Sequence, residues 1–313
     1  WYAISKDKIY LALSLFSTTS SVVRPGHNCT YDISICNISD QNAWVRLLFD
    51  IYLKENPMHP EGHYGFFEKA VFLEKARAGL GAHVREASIF EEQSRIAHTV
   101  GTKHTILFPF VTLGSLINFC DCLMAGGTSR KNHSEVGSSY IHFNFTPNQD
   151  KATASLIGDV PQGVLINQPP IFLGGQGGLV GPCRLIYGTT VAAGTIVRKD
   201  ELRPGRLIFG GLAKEGNMSY QPGKLGNDRR TIVNNLVYIA NLIALYQWYC
   251  HVRSQFVSTD FSQLLLAGLK EKLNWAISER IRRFDSFCHQ KNEDAAMPQN
   301  GSPTPQRSIV FDP

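Results

Sequence analysis

The sequence predicts a mainly-β fold, a parallel β-helix of hexapeptide repeats with a β-rich N-terminal segment and C-terminal α-helices. Three observations carry this expectation. Leu173, Leu179, Leu185, Val191 and Val197 are spaced six apart, a period that fits neither the 3.6 of a helix nor the 2 of a flat strand. It fits a solenoid in which one short strand and one sharp turn repeat, and every sixth side chain enters a dry, narrow axis. Residues 8–54 alternate apolar and polar positions between good turn sequences, as antiparallel strands do. Near the C-terminus two stretches switch to three-to-four spacing, the mark of amphipathic helices.

Taken in order, "KIYLALSLFST", "NCTYDISICNIS" and "WVRLLFDIYL" are three expected strands of a sandwich-like segment over residues 1–64. "KENPMHPEGHYG" (54–65) reads as a linker. The β-helix is expected over 70–213, where Val111, Ile117 and Leu123 also lie six apart. Gly174, Gly188, Ala192, Ala193 and Gly194 would keep its turns tight. A loop, "GGLAKEGNMSYQPGKLGND", precedes a helical region over 229–288. Its first helix would bury Ile232, Leu236, Ile239, Ile243, Tyr246 and Tyr249 or Cys250. Its second, capped by Asp260, would bury Leu265, Leu269, Leu273, Ile277 and Ile281. Residues 289–313 are polar and proline-bearing and are expected to be a disordered tail.

The 313 residues carry a formal charge of +5 and no basic run interleaved with aromatics, which argues against nucleic acid as a partner. The apolar stretch 236–250 contains Asn241 and Gln247 and is short of the roughly 20 residues a membrane span needs, so no span is expected. Seven cysteines at irregular spacing read as free thiols of a reducing compartment, which makes the expected location the cytoplasm. The N-x-S/T sequons at Asn28, Asn37, Asn132, Asn144 and Asn217 are then chance. A chain that opens on Trp1 is expected to be processed or a piece of a longer one. "IFLGGQGGLVGP" offers two glycines of a dinucleotide-binding loop, but Val180 stands at the third and Pro182 where a helix should be under way, so that reading is set aside. No H-x-H or H-E-x-x-H spacing occurs, and no metal is expected.

"FLGGQGGLVGPCRLIYGTTVAAGTIV" resembles, without gaps, the last coils of the left-handed β-helix (hexapeptide-repeat) acyltransferases. The similarity is closest to the acetyltransferase half of the bifunctional N-acetylglucosamine-1-phosphate uridyltransferase/glucosamine-1-phosphate acetyltransferase. Upstream, "FNFTPNQDKATASLIGDV" resembles that family's segment with an Asn-Tyr pair, a lysine and an "IGD" coil end. The resemblance spans residues 75–200. It implies a left-handed β-helix, a homotrimer, and an acetyl-CoA or other acyl-CoA co-substrate lying between subunits. Ala192, Ala193 and Gly194 would hold the pantetheine arm. Asn144 and Lys151 would contact a sugar or nucleotide-sugar acceptor, and a histidine would act as general base. Three departures stand out. Phe145 lacks the tyrosine hydroxyl, "PQGVLINQPPI" (161–171) reads as an insertion, and the coils before Asn144 do not align cleanly. The family's uridyltransferase signature is absent from this chain.

Acyl transfer needs a base that titrates near neutrality, and histidine meets that need. His133, in the polar "TSRKNHSEVG" that interrupts the hexads and so reads as a protruding loop, leads His104 and His98, which lie beside coil turns. His142 alternates with Ile141 and Phe143 and is expected to pack on a coil face. Arg130 and Lys131 would make the loop a cationic substrate-binding surface, and Glu135 would be solvated. A hydrogen-bonded structural histidine is the competing reading at each position. The sequence thus favours acyl-CoA-dependent transfer to a sugar or nucleotide-sugar amine or hydroxyl. The alternative is a non-catalytic β-helix that serves as a binding or assembly scaffold, with the loop as its recognition element.

Overall fold

The computed structural model describes residues 65–143, 152–210, 228–259 and 261–296, with side chains to residue 289, together with the backbone of five N-terminal strands. Asn144, Lys151, Asp260 and the expected 211–227 loop lie outside the described residues. Four of the N-terminal strands, Tyr2–Ser5, Lys8–Ser14, Cys29–Asp40 and Ala43–Glu55, form one antiparallel sheet. Asp40 pairs with Ala43, so the expected turn at "SDQNA" closes a hairpin.

From Gly65 onward every strand but one short hairpin pairs in parallel with the next circuit of the chain. This begins five residues before the expected boundary at 70. Ile96 pairs with Ala78 eighteen residues earlier and with Leu113 seventeen residues later, and Val191 with Leu173 and Ile208 at the same two intervals. Three columns of strands result. The first contains Ala70–Phe72, Ser88–Phe90, the end of Gly101–Leu107, the end of Asn118–Met124, Ser155–Ile157 and Arg184–Leu185. The second runs from Arg77–Ala78 to Leu207–Ile208, and the third from Gly65–Phe67 to Ile196–Val197. A circuit of seventeen or eighteen residues is three hexads, and the arrangement is compatible with a parallel β-helix.

The six-residue row is buried throughout: Leu173, Leu179 and Val191 are fully enclosed, with Leu185 and Val197 at most 4% exposed. Val111 and Ile117 keep the same six-residue burial pattern. Leu123 does not continue it. Its register partners are Ile106 and Leu156, and the interior is filled one residue later by Met124, Leu107 and Ile157. Leu123 therefore faces the C-terminal helices, because circuits of seventeen residues break the strict period. His142 also differs from expectation. It shares the interior column with Phe119 and Leu179, while Ile141 faces out.

The corners are made mostly without glycine. Lys69, Ala87, His104 and Asp121 stack at one corner, and Thr99, Leu116, Ser139, Gln176 and Gly194 at another, all with φ between +48° and +71°. Such a conformation costs about 1–3 kcal/mol at a non-glycine residue. It persists because each corner N–H donates to the corner below, as His104 N does to Glu86 O and Gln176 N to Ser138 O. Gly174 acts otherwise than expected: a Cβ there would meet Ala193 N at 2.3 Å, so its role is close approach of two circuits.

Two excursions among the described residues lengthen circuits: a hairpin after Met124 and the 158–171 stretch containing α1 (Val160–Gly163). The last fits the insertion expected at 161–171. Two helices follow, α2 (Asp228–His251) and α3 (Gln263–Ala296). α2 buries Asn234, Asn235, Tyr238, Asn241, Leu242, Leu245 and Tyr249, while Leu236 and Ile243, two of the expected core residues, are 46% and 45% exposed. The buried asparagines explain the rotation. Asn234 Nδ2 donates to Pro182 O and Asp200, Asn235 Nδ2 to Ala152 O, and Asn241 Oδ1 accepts from Val160 N. α3 buries Leu265, Leu269 and Leu273, but Ile281 is half exposed. A period of four drifts by about 40° per step on a 3.6-residue helix, which carries Ile281 off the contact face. α3 continues to Ala296, past residue 289 where the tail was expected.

Candidate functional site

The excursion after Met124 is an antiparallel hairpin, Gly127–Ser129 with Asn132–His133. Gly127 is required there: its φ is +98°, and a Cβ would meet His133 Cα at 2.5 Å. Ser134 fixes the base of the hairpin, its Oγ donating to Ala125 O and accepting from Ile171 N, both at 2.8 Å. Arg130, near the tip, folds back. Its Nη1 donates to Gln93 O at 3.1 Å and Phe110 O at 2.5 Å, and its Nη2 to Thr112 Oγ1 at 2.9 Å. The guanidinium expected to bind substrate thus ties the hairpin to a corner. Lys131 remains exposed.

His133 is held at the hairpin base with 18% of its side chain exposed, its Nε2 3.8 Å from Glu135 Oε2. That separation allows electrostatic support of a charged ring without a hydrogen bond. Nδ1 is shielded from water and meets no aligned partner. Burial first, and the Arg130 charge second, hold its pKa below the ordinary histidine value, so at pH 7 the ring is the neutral, proton-accepting form.

The other two candidates differ in kind. His104 places Nδ1 3.0 Å from Asp121 Oδ1, and Arg280 of α3 places Nη2 3.0 Å from the same oxygen. Burial raises the Asp121 pKa, but the charges and hydrogen bonds of Arg280 and His104 outweigh it and hold the carboxylate ionised. The His104 side chain is only 10% exposed. It reads as a structural tie between a corner and α3. His98 is exposed at another corner, its Nδ1 2.8 Å from Ser115 Oγ. His142 bonds Ser155 Oγ at 2.8 Å, and burial drives its pKa down to about 4.

The second column of strands brings several of these groups onto one side of the molecule. Glu135 and Val136 pair with Thr112 and Leu113, so His133, Glu135 and Arg130 border the same face whose far corner carries His98 and Ser115. Ala192 continues that face two circuits beyond Gly137, with Ala193 and Gly194 turning the corner. His104 belongs to a different corner. A feature not foreseen joins them: from Ala78 to Val191 the residue after each interior position of this face is Gly79, Ala97, Gly114, Gly137, Gly174 or Ala192, and only the last circuit departs, with Phe209 after Ile208. In this column successive circuits approach closely: a Cβ on Gly79, Gly114, Gly137 or Gly174 would meet the neighbouring circuit's backbone at 2.3–2.9 Å. Its sequence signal, an aliphatic residue followed by Gly or Ala once per circuit, was present but spread across unequal intervals. Among the described residues no group of three His, Cys, Asp or Glu could hold a metal ion, and no helix is long and apolar enough to cross a membrane.

No protein-family model matches this chain, and no curated protein shows significant similarity to it.

Proposed function

We propose that the circuits wind as a left-handed β-helix of the hexapeptide acyltransferase type, and that the protein transfers an acyl group, acetyl first among candidates, from acyl-CoA to an amine or hydroxyl of a sugar or nucleotide sugar. The observation that carries this reading is the neutral, partly open imidazole of His133 beside Glu135, on the face that bears the Gly/Ala column. The extended pantetheine arm would lie along this face toward Ala192, Ala193 and Gly194. His133 would take the acceptor's proton as the acceptor attacks the thioester carbonyl. Glu135 at 3.8 Å favours the transient imidazolium, the C–S bond then breaks, and the imidazolium returns its proton to the departing thiolate. Asn144 and Lys151 are the acceptor contacts this reading requires.

The test is thiol release from acetyl-CoA in the presence of an amino-sugar phosphate. His133→Ala should lower the rate by about 10²–10⁴ with CoA affinity nearly unchanged. A second reading, a scaffold without catalysis, is favoured by the commitment of Arg130 to backbone carbonyls. Wild-type protein that shows no heat of binding with acetyl-CoA would replace the first reading with the second.

A further inference from the structure

His98, Ser115 and Ser138 follow the interior residues Ile96, Leu113 and Val136 by two positions each. Register stacks them one per circuit at a single solvent-facing corner. Ser115 Oγ lies 2.8 Å from His98 Nδ1, within the range of a nucleophile and its base. Ser138 Oγ accepts the Ser115 N–H at 3.1 Å, which orients this second hydroxyl beside the first and leaves its proton to be donated outward. Two close approaches fix the corner. A Cβ on Gly114 would meet Ser138 Oγ at 2.9 Å, and one on Gly137 would meet Gly175 N at 2.3 Å. Leu116 N–H to His98 O, at 3.1 Å, sets the spacing of the pair through the backbone. Unlike the His104–Asp121 tie under α3, this pair is open: His98 is exposed and Ser115 half-buried.

From this geometry we propose a second chemical site: Ser115 is a nucleophile activated by His98, and the corner forms an acyl-serine and hydrolyses thioesters in the absence of an acceptor. In the first step Ser115 Oγ attacks the thioester carbonyl carbon, and its proton passes to His98 Nδ1. The oxyanion accepts the Ser138 hydroxyl, the C–S bond breaks, and the leaving thiolate takes the proton from His98. In the second step water attacks the ester carbonyl, His98 takes and returns its proton, and the acid departs as Ser115 regains its hydroxyl. The net change is thioester plus water to thiol plus carboxylic acid. The pair needs the His98 tautomer protonated at Nε2, so that Nδ1 can accept. The approach runs along the same face: from Ala192 to Gly114 it crosses three inter-strand steps, about 14 Å at the usual spacing, a distance that an extended pantetheine arm spans.

The choice of a thioester as substrate rests on the acyl-CoA reading; the nucleophile does not. Two probes separate them. Intact protein is incubated with acetyl-CoA alone, quenched in acid and mapped by mass spectrometry, and a parallel sample is treated with a fluorophosphonate that reports an activated serine without needing CoA. Both should modify Ser115. Ser115→Ala should abolish both adducts, and His98→Gln should slow each by about 10²–10⁴, with circular dichroism confirming that both variants fold. Phosphonylation of Ser115 without acetylation supports the nucleophile and counts against the acyl-CoA reading. Wild-type protein that stays unmodified by both reagents, or a Ser115→Ala protein that reacts as fast as wild type, overturns the proposal.

Discussion

Glu91 shows how much one side chain at a corner can govern. It is 6% exposed and accepts the Tyr249 hydroxyl at 2.5 Å. Beside it the Arg253 guanidinium pairs with Glu92 and lies over the Phe261 ring. Burial, and after it the Glu92 charge, raises the Glu91 pKa from 4.5 to about 7, against the opposing pull of Arg253 and Tyr249. The folded protein therefore holds a proton between pH 4.5 and 7 that the unfolded chain has lost. The stabilisation is complete below that window and fades as pH rises through it, by an amount on the order of 2–3 kcal/mol. In urea melts at pH 5 and pH 8, Glu91→Gln should flatten the decline seen in wild type; parallel declines would show that another group is responsible. Glycine replacement gives a second residue-scale prediction. Gly174→Ala drives a Cβ to 2.3 Å from Ala193 N, whereas Gly194→Ala meets open space at a φ of +71°. The first should cost about 1–3 kcal/mol or more, the second about 1 kcal/mol. Equal losses in thermal melts would mean that close approach of circuits is not what selects Gly174.

At the scale of elements, legibility followed the physical constraint behind each pattern. The row from Leu173 to Val197 was readable because a dry axis tolerates only aliphatic side chains there. The hairpin that carries His133 was visible as a break in the hexad pattern, since "TSRKNHSEVG" offers no aliphatic residue for the axis until Val136. The buried side of α2 was not readable. Hydrophobic spacing selects Leu236 and Ile243, but this helix crosses strand ends whose carbonyls and N–H groups need partners, and Asn234, Asn235 and Asn241 supply them. A buried donor left unmatched costs about 1–3 kcal/mol, enough to outweigh exposing two aliphatic residues. Asn234→Leu should therefore destabilise by about that amount in urea melts, and Leu236→Asn by less than about 0.5 kcal/mol. The reverse ranking would restore the face that spacing alone suggests. The His98–Ser115 pair was hidden for another reason: its members are seventeen residues apart, and only the register places them together.

For the molecule as a whole, two tyrosines of α2 serve the chain's own core. Tyr238 and Tyr249 are buried within the chain, Tyr249 against Glu91. What remains exposed near the proposed site is Leu116, Ile141 and Phe172, each more than 40% open, and a homotrimer that shares acyl-CoA sites would cover such positions. Light scattering should report three chains at micromolar concentration; a monomer would exclude a shared site and require His133 to act with groups of its own chain.

A stack in which each circuit touches only its neighbours should come apart like a zipper, from either end and by degrees. α2 changes that. From Asn234, bound beside Pro182 and Asp200, to Tyr249, bound to Glu91, it covers about 22 Å. The four strand spacings between those anchors add to about 19 Å. The helix is thus a splint fastened at both its ends across these circuits, so none of the circuits between the two anchors can part without releasing it. Unfolding should be one sharp event, and amide exchange at Phe90 and at Leu185 should proceed at a common slow rate. With the splint unfastened by Tyr249→Phe, the two rates should diverge.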